Sequence, residues 1–320
     1  MQNPMCFEGF KQILGGRNNK IIMIKKNKKS LILKKFLFLK ENKLKNYKEF
    51  MFCKLLIDKK INLTPKAIKH YPKDFSSLYS FIKGKKIYNI NKDYLEQSFF
   101  FLKSIQKIKF LFCKKFSKNS LAVDACQSLN DYIQTVEKKL ANLILVTDNK
   151  KLKFFLEDQF IRKWKIAKIQ FKKKYKKNLL KKILKKNMIL SPSDFGFHNM
   201  IIKNSKIFFI DFEYCGLDDP KKLICDFICQ PNLQLNFKQK KYFLALFGRD
   251  SDFCYVPPVL IEDLLLICRF KWCLIIFNDF LLEKNNLRKF SGFFSKNKLK
   301  KQLIVGIKYF QTYLGSSFNK

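Results

Sequence analysis

Hydrophobic and polar positions alternate along the front of the chain and then change period. Residues 10–40 read as strands and turns. IIMIK (21–25), the polar turn KNKKS (26–30) and LILKKF (31–36) predict a hairpin, with Gly15-Gly16-Arg17-Asn18-Asn19 as a tight loop ahead of it. From 43 to 59 the spacing becomes helical, with Leu44, Tyr47, Phe50, Met51 and Leu55 on one side, and Pro65 closes the stretch. Short apolar runs follow at 66–70 and 78–82, and Gly84 then sits in a lysine-rich connector.

Beyond residue 92 a three- and four-residue period dominates. Ala125, Leu129, Tyr132, Ile133, Val136, Leu140 and Leu143 form one stripe and predict a helix over 121–144. A basic helical stretch is expected over 160–187, strand-like pieces at NMIL (187–190), MIIK (200–203) and KIFFID (206–211), and mostly helix over the last 80 residues. The pattern is that of an α+β chain: a small β-rich front, residues 1–84, and a larger helical back, residues 85–320, joined near 83–90.

Composition changes this picture in three ways. With 320 residues, 47% of them hydrophobic, the chain can bury a large core and is not a disordered one. The formal charge of +41 comes mostly from lysine, beside abundant Asn, Ile and Phe, the profile of AT-rich coding; an anionic partner is the other source open to it. The ten cysteines form no CxxC pair and only His70 and His198 accompany them, which argues against a zinc site and for thiols in a reducing cytoplasm. The N-terminus has no signal-peptide core, and Glu262, Asp263, Arg269, Lys271 and Asp279 interrupt the apolar run 260–282, so that run is expected to be a buried helix, not a membrane span.

Chemistry is concentrated in 189–226. Six of the chain's 25 acidic residues (Asp194, Asp211, Glu213, Asp218, Asp219 and Asp226) fall within it, about twice an even spread. Such oxygen ligands suit Mg²⁺. Asp194 and Asn199 stand five apart between strand-like runs, and Asp211 follows at the end of KIFFID. That is the order of a phosphoryl-transfer centre: one Asp for the hydroxyl proton, an Asn for metal, and a second Asp bridging metal to phosphates.

SPSDFGFHN resembles the HGDxxxxN loop of aminoglycoside phosphotransferases and choline kinases, and IDFEYCGLDDP resembles their IDFE(Y/W)AGxGDP metal loop. The resemblance implies a two-lobed protein-kinase-like fold, with a small antiparallel sheet and one helix in the N-terminal lobe. It implies an ATP- and Mg²⁺-dependent kinase acting on a hydroxyl of a small molecule such as an amino-alcohol, sugar or aminoglycoside-like compound. Asp194 would be the base, Asn199 and Asp211 metal ligands, and Glu213 a further metal-site group. One departure stands out: Pro192 replaces the family's His, which keeps a catalytically dead scaffold as an alternative.

By the same resemblance, Gly15, Gly16, Arg17 and Asn18 would form the turn over the nucleotide phosphates. Lys34, on one strand face with Ile32, would hold the nucleotide, with Lys35 as the fallback and Glu49 as its ion-pair partner. Asp218, Asp219 and His198 are candidate acceptor contacts, although Asp219 before Pro220 also has the form of a helix cap, His198 that of a loop-packing residue, and Asp226 that of a structural pair. Arg269 and Lys271 either line an acceptor pocket or pair with carboxylates of the helical part. Residues 162–186 carry 13 Lys/Arg and no acid. They read as a solvated face, and any membrane contact would run through them. A purely nucleic-acid-binding role would leave Asp194, Asn199 and Asp211 without purpose.

Overall fold

The computed structural model describes residues 9–13, 16–26, 28–248, 250, 253, 257–293 and 296–315. The front of the chain forms a five-stranded antiparallel sheet from β1 (Gly9–Ile13), β2 (Lys20–Lys26), β3 (Lys29–Lys35), β4 (Ala67–Tyr71) and β5 (Ser76–Ser80), in the order β1-β2-β3-β5-β4. The hairpin read at 21–36 is β2 and β3, with Ile21 opposite Lys34. Helix α1 (Lys40–Asp58) packs on β4 and β5.

Past the short strand β6 (Lys85–Lys86) come helices α2 (Lys92–Ile105), α3 (Lys109–Phe116) and α4 (Leu129–Val146). The helix expected from 121 begins only at Leu129, because Ser128 and Asp131 form a capping box there. Ala125 therefore lies outside the helix, in a loop whose Val123 N–H donates to the Tyr214 carbonyl at 3.1 Å. The basic helix also differs from expectation. It runs from α5 (Lys150–Phe155) through a π turn at Leu156–Phe160 into α6 (Ile161–Lys174) and ends well before 187. Its buried face is Trp164, Ala167 and Phe171, and no such apolar repeat continues through the lysine-rich 175–187.

Two small sheets, one of two strands and one of three, position the two motif loops. β7 (Ile189–Ser191) pairs with β10 (Gly216–Asp218), and β8 (Met200–Lys203) pairs with β9 (Lys206–Phe209) and β6. Loop 192–199 thus joins β7 to β8, loop 210–215 joins β9 to β10, and the pairings set the loops side by side. Helices α7 (Pro220–Cys229), α8 (Phe237–Gly248), α9 (Pro258–Ile276), α10 (Leu282–Ser291) and α11 (Lys296–Leu314) complete the chain. α9 carries only 260–276 of the apolar run read as one helix over 260–282, which breaks into a short 3-10 turn at Phe277–Phe280; α9 is the buried centre against which α4, α7 and α11 pack. No helix among the described residues is long and apolar enough to cross a membrane.

The core is rich in phenylalanine and continues beneath the 210–215 loop. Phe101 of α2 stacks on Phe209 with centroids 3.9 Å apart, and Phe52 of α1 lies 4.6 Å from Phe212. Both sides of Asp211 are therefore anchored in closely packed aromatic surface.

Candidate active site

Lys34 points from β3 into the space between the sheet and loop 210–215. Its ammonium is 2.7 Å from Glu49 of α1, 2.6 Å from Asp211 and 3.6 Å from Glu213. The pair of Lys34 with Glu49 matches the sequence reading, and Lys35 is not drawn in. Burial would lower the Lys34 pKa, yet Asp211, Glu49 and Glu213 together raise it well above the ordinary lysine value. Glu49 is pushed up to about 7, by burial first, with Lys34 opposing.

Loop 192–199 comes alongside through a backbone bond from Ile210 N–H to the Asn199 carbonyl at 3.0 Å. Asp194 accepts from the Asn199 amide at 3.4 Å and from Gln230 at 3.3 Å, and its carboxylate lies 3.3 Å from His198 Nε2. Burial alone would raise the Asp194 pKa; the bonds from His198, Gln230 and Asn199 outweigh it and hold the carboxyl below its usual range. Gln230, at the end of α7, was not singled out in the sequence, because nothing local distinguishes it. Asp194 and Asp211 also feel each other's charge, as expected for two groups at one centre.

Strain accompanies these groups. Ser193 and Asp211 both adopt φ 68°, a left-handed conformation that side-chain-bearing residues take at a cost of about 1 kcal/mol or more. Ser193 is held there between Pro192, whose carbonyl accepts from Asp194 N–H at 3.1 Å, and Phe195, whose N–H bonds the Ser193 carbonyl at 2.9 Å.

The turn between β1 and β2 closes over this centre. Gly15 lies outside the described residues. Gly16 has no room for a side chain, since a Cβ would stand 2.7 Å from the Asn19 carbonyl oxygen. Asn18 donates to Glu213 at 3.0 Å and to the Tyr214 hydroxyl at 2.8 Å, and Asn19 donates to the other Glu213 oxygen. Arg17 turns the other way and pairs with Asp279 at 2.9 Å. Arg288 of α10 also bonds Asp279 and reaches the Arg17 carbonyl and Asn18 Oδ1 at 2.8 and 2.5 Å. The role of α10 in fastening this turn is invisible in sequence, because the partners are some 270 residues apart.

The acids after the metal loop have other occupations. Asp218, fully buried, accepts from Cys126 and Asp219 N–H groups and pairs with Lys222 at 2.6 Å. Asp219 caps α7 through Lys221 N–H and accepts from the Tyr132 hydroxyl at 3.1 Å. With neither carboxylate open to the cleft, the acceptor-contact reading of both gives way to a structural one. Asp226 likewise pairs with Lys271, with Lys222 at 3.3 Å and with Trp272 Nε1 at 2.9 Å. Lys271 therefore serves the interior, and Arg269 stacks over Tyr313. His198 sits beside Asp194 with its side chain 27% exposed.

The donor set suits a hard cation. Glu49, Asp211 and Glu213 each offer an oxygen within 4.8 Å of the others. Glu49 is engaged by Lys34 and Phe212 N–H, and Glu213 by the two asparagines, whereas the Asp211 side chain is 38% exposed. Asp211 is therefore the carboxylate of this set most open to a cation.

No family model matches the chain. Among curated proteins, a LicA homolog from Metamycoplasma hominis is 30% identical over 161 residues, which are 47% of this chain and 62% of that protein, so the match spans less than two thirds of the relative. Among solved structures, choline kinase LicA from Streptococcus pneumoniae superposes with TM-score 0.58 at 13% identity, covering 96% of this chain and 94% of that one. A gentamicin-bound APH(2")-IIa gives TM-score 0.62 at 16% identity with coverage of 95% and 91%, and a Plasmodium vivax ethanolamine kinase gives 0.58 at 14% with 96% and 83%. The two-lobed kinase-like fold that the two loops led one to expect is borne out.

Proposed function

We propose that this chain, which shares the fold and the two characteristic loops of aminoglycoside phosphotransferases and choline kinases, moves the γ-phosphoryl group of ATP to a hydroxyl of a small molecule. The observation that carries this reading is the bond from Ile210 to Asn199, which draws Asp194, Asn199 and Asp211 to one centre facing Lys34. Phosphoryl transfer asks mainly for positioning and charge neutralisation, and these four side chains supply both.

Lys34, steadied by Glu49, would hold the nucleotide phosphates, while Gly16 lets the turn backbone approach them. Mg²⁺, held by Asp211 and Asn199, would neutralise charge on the phosphate oxygens. Asp194 orients the acceptor hydroxyl and accepts its proton as the new O–P bond forms and the bond to ADP breaks. Its lowered pKa keeps it ionised for that role. Gln230 and His198 hold its carboxylate in place. With Pro192 in the family's His position, Asp194 still has bonds to Asn199, Gln230 and His198, and this supports an active enzyme over a dead scaffold.

The test is ADP release with ATP and Mg²⁺ over a panel of amino-alcohols, sugars and aminoglycosides, with Asp194→Asn as the blank. Turnover that disappears in the variant supports the reading. ADP release that is equal in parent and variant across the panel would sink it.

A further inference from the structure

The basic stretch read at 162–186 has two sides, and the protein interior uses one of them. It holds 13 Lys/Arg and no acid in 25 positions, about two and a half times its even share of the chain's 66 basic residues. Trp164, Ala167 and Phe171 form the buried stripe of α6, which packs on α9. Lysines flanking that stripe are committed. Lys168 pairs with Glu137 at 3.2 Å, Lys174 pairs with Asp263 at 2.6 Å, and Lys163 donates to the Leu314 carbonyl at 3.0 Å. The opposite side carries Arg162, Lys165, Ile166, Ile169 and Lys173, all exposed and set at the three- and four-residue steps of one helix face. Arg162 reaches back to Asp158 at 2.8 Å, while Lys165 and Lys173 have no ion pair among the described residues.

The chain beyond α6 keeps this character while being pinned in place. The Asn130 N–H donates to the Leu179 carbonyl at 2.9 Å, and the Ile183 N–H to the Gln127 carbonyl at 2.7 Å. Leu179 and Ile183 are half-buried, whereas Leu180 and Leu184 are exposed beside Lys181, Lys182, Lys185 and Lys186. Ile166, Ile169, Leu180 and Leu184 are between 45% and 73% exposed. A single exposed aliphatic is ordinary on a protein surface, but four of them within one acid-free basic stretch call for a partner. Two kinds of polyanion match the charge. A nucleic-acid strand is held by cations together with aromatic side chains on which bases stack. Here the aromatics turn inward: Trp164 and Phe171 are buried, and the Tyr175 hydroxyl bonds Asp263. The outward apolar side chains are aliphatic. An anionic bilayer uses both groups, with ammonium groups at the lipid phosphates and Ile and Leu at the boundary with the acyl chains.

We propose that the outer face of α6 and the turn after it, residues 162–186, dock this protein on a bilayer rich in anionic lipid headgroups. Ile166 and Ile169 enter the headgroup boundary, and Lys165, Lys173 and the exposed lysines of 176–186 lie along the lipid phosphates. The surface does not rest on the phosphotransferase reading, which uses none of these residues.

Cosedimentation of the whole chain with vesicles tests this, with phosphatidylcholine alone and with phosphatidylcholine plus phosphatidylglycerol, at about 0.15 M salt, where distant charges are screened. The parent should sediment with the anionic vesicles and stay in solution with the neutral ones. Each cation at a membrane surface is worth about fivefold in partitioning, so Lys165→Gln/Lys173→Gln should bind about tenfold more weakly or worse. Ile166→Gln/Ile169→Gln removes apolar area from the contact and should also lose about tenfold. Lys203→Gln/Lys206→Gln, the same charge change at exposed positions of β8 and β9, should stay within about twofold of the parent. All six positions are exposed, so the three variants should melt with the parent. No sedimentation with the anionic vesicles overturns the proposal. An equal loss in the Lys203 and Lys206 variant also overturns it, because the attraction is then one of net charge. An isoleucine variant that binds like the parent overturns it too. A single-stranded RNA oligonucleotide bound through Lys165 and Lys173 at the same salt, with vesicles left unbound, overturns the lipid assignment in favour of nucleic acid.

Discussion

Replacing Lys34 by Met tests the centre most directly, because three carboxylates depend on one ammonium. At 2.7 Å, and with an effective dielectric of about 20, the attraction to Glu49 alone is about 6 kcal/mol. Methionine is spared the desolvation that the ammonium pays, so the net loss should be about 3–5 kcal/mol, the usual result of removing one partner from a buried pair. At roughly 2 °C per kcal/mol for a chain of this size, the melting temperature should fall by about 6–10 °C. The diagnostic step is a double-mutant cycle with Glu49→Gln. That single change leaves Lys34 bonded to Asp211, so it should cost less, and in the double variant one of the stranded carboxylates is gone. The cycle should show coupling of about 2 kcal/mol. Under the proposed function, kcat/KM of Lys34→Met should also fall by about 10²–10³ even where the protein is fully folded, as expected for loss of one electrostatic contact to the transition state. Costs that add within about 0.5 kcal/mol, measured by urea denaturation at about pH 8.5, where Glu49 is ionised, would refute the network as a coupled unit.

Three further outcomes follow from the packing around the site. Asp226→Asn should cost about 3–5 kcal/mol at pH 7. Burial would raise the Asp226 pKa, but Lys271 and Lys222 hold it below the usual value, so its contribution is present above about pH 4 and lost as pH falls through the folded value; denaturation at pH 7 and pH 3 should show the gap between variant and parent narrowing. Gly216→Ala would place a Cβ 2.3 Å from Ala122 N and 2.4 Å from the Leu121 carbonyl carbon, so a melting temperature equal to the parent's would contradict the contact between β10 and the 121–128 loop. Phe101→Ala removes the ring stacked on Phe209 and should cost about 3–5 kcal/mol by calorimetry, with activity of the folded fraction reduced because Asp211 stands two residues beyond.

What the sequence made legible, it did through local pattern and short spacing. The β2–β3 hairpin, α1 and the strands carrying 189–209 each have a clear period, and the order of Asp194, Asn199 and Asp211 lies within one stretch of chain. Lys34 and Glu49 are legible only through the family resemblance, which implies a strand lysine paired with a glutamate of the following helix; the structure sets the two 2.7 Å apart. The rest depended on contacts that no window contains. Arg17 looked like a phosphate contact until Asp279 and Arg288 supplied partners from the far end of the chain. Asp218 and Asp219 looked available until the backbone of Cys126 and the hydroxyl of Tyr132 were folded against them. The end of the basic helix was missed for a different reason: lysine is a good helix former, so propensity alone gives no stop where the apolar repeat runs out.

The distribution of acids then bears on the meaning of the +41 charge. In a chain with 66 basic and 25 acidic residues, random drift would leave carboxylates on the surface, each easily compensated. Six of the 25, Glu49, Glu213, Asp218, Asp219, Asp226 and Asp279, are buried instead, and each meets a lysine or arginine or a tight set of amide donors. A buried carboxylate cannot be exchanged for lysine without stranding the cation it holds, so it resists the pressure that converts exposed positions. Lys34, Lys222, Lys271 and Arg288 are buried with these acids, so the interior keeps its charges in pairs and the basic excess falls on the remaining positions.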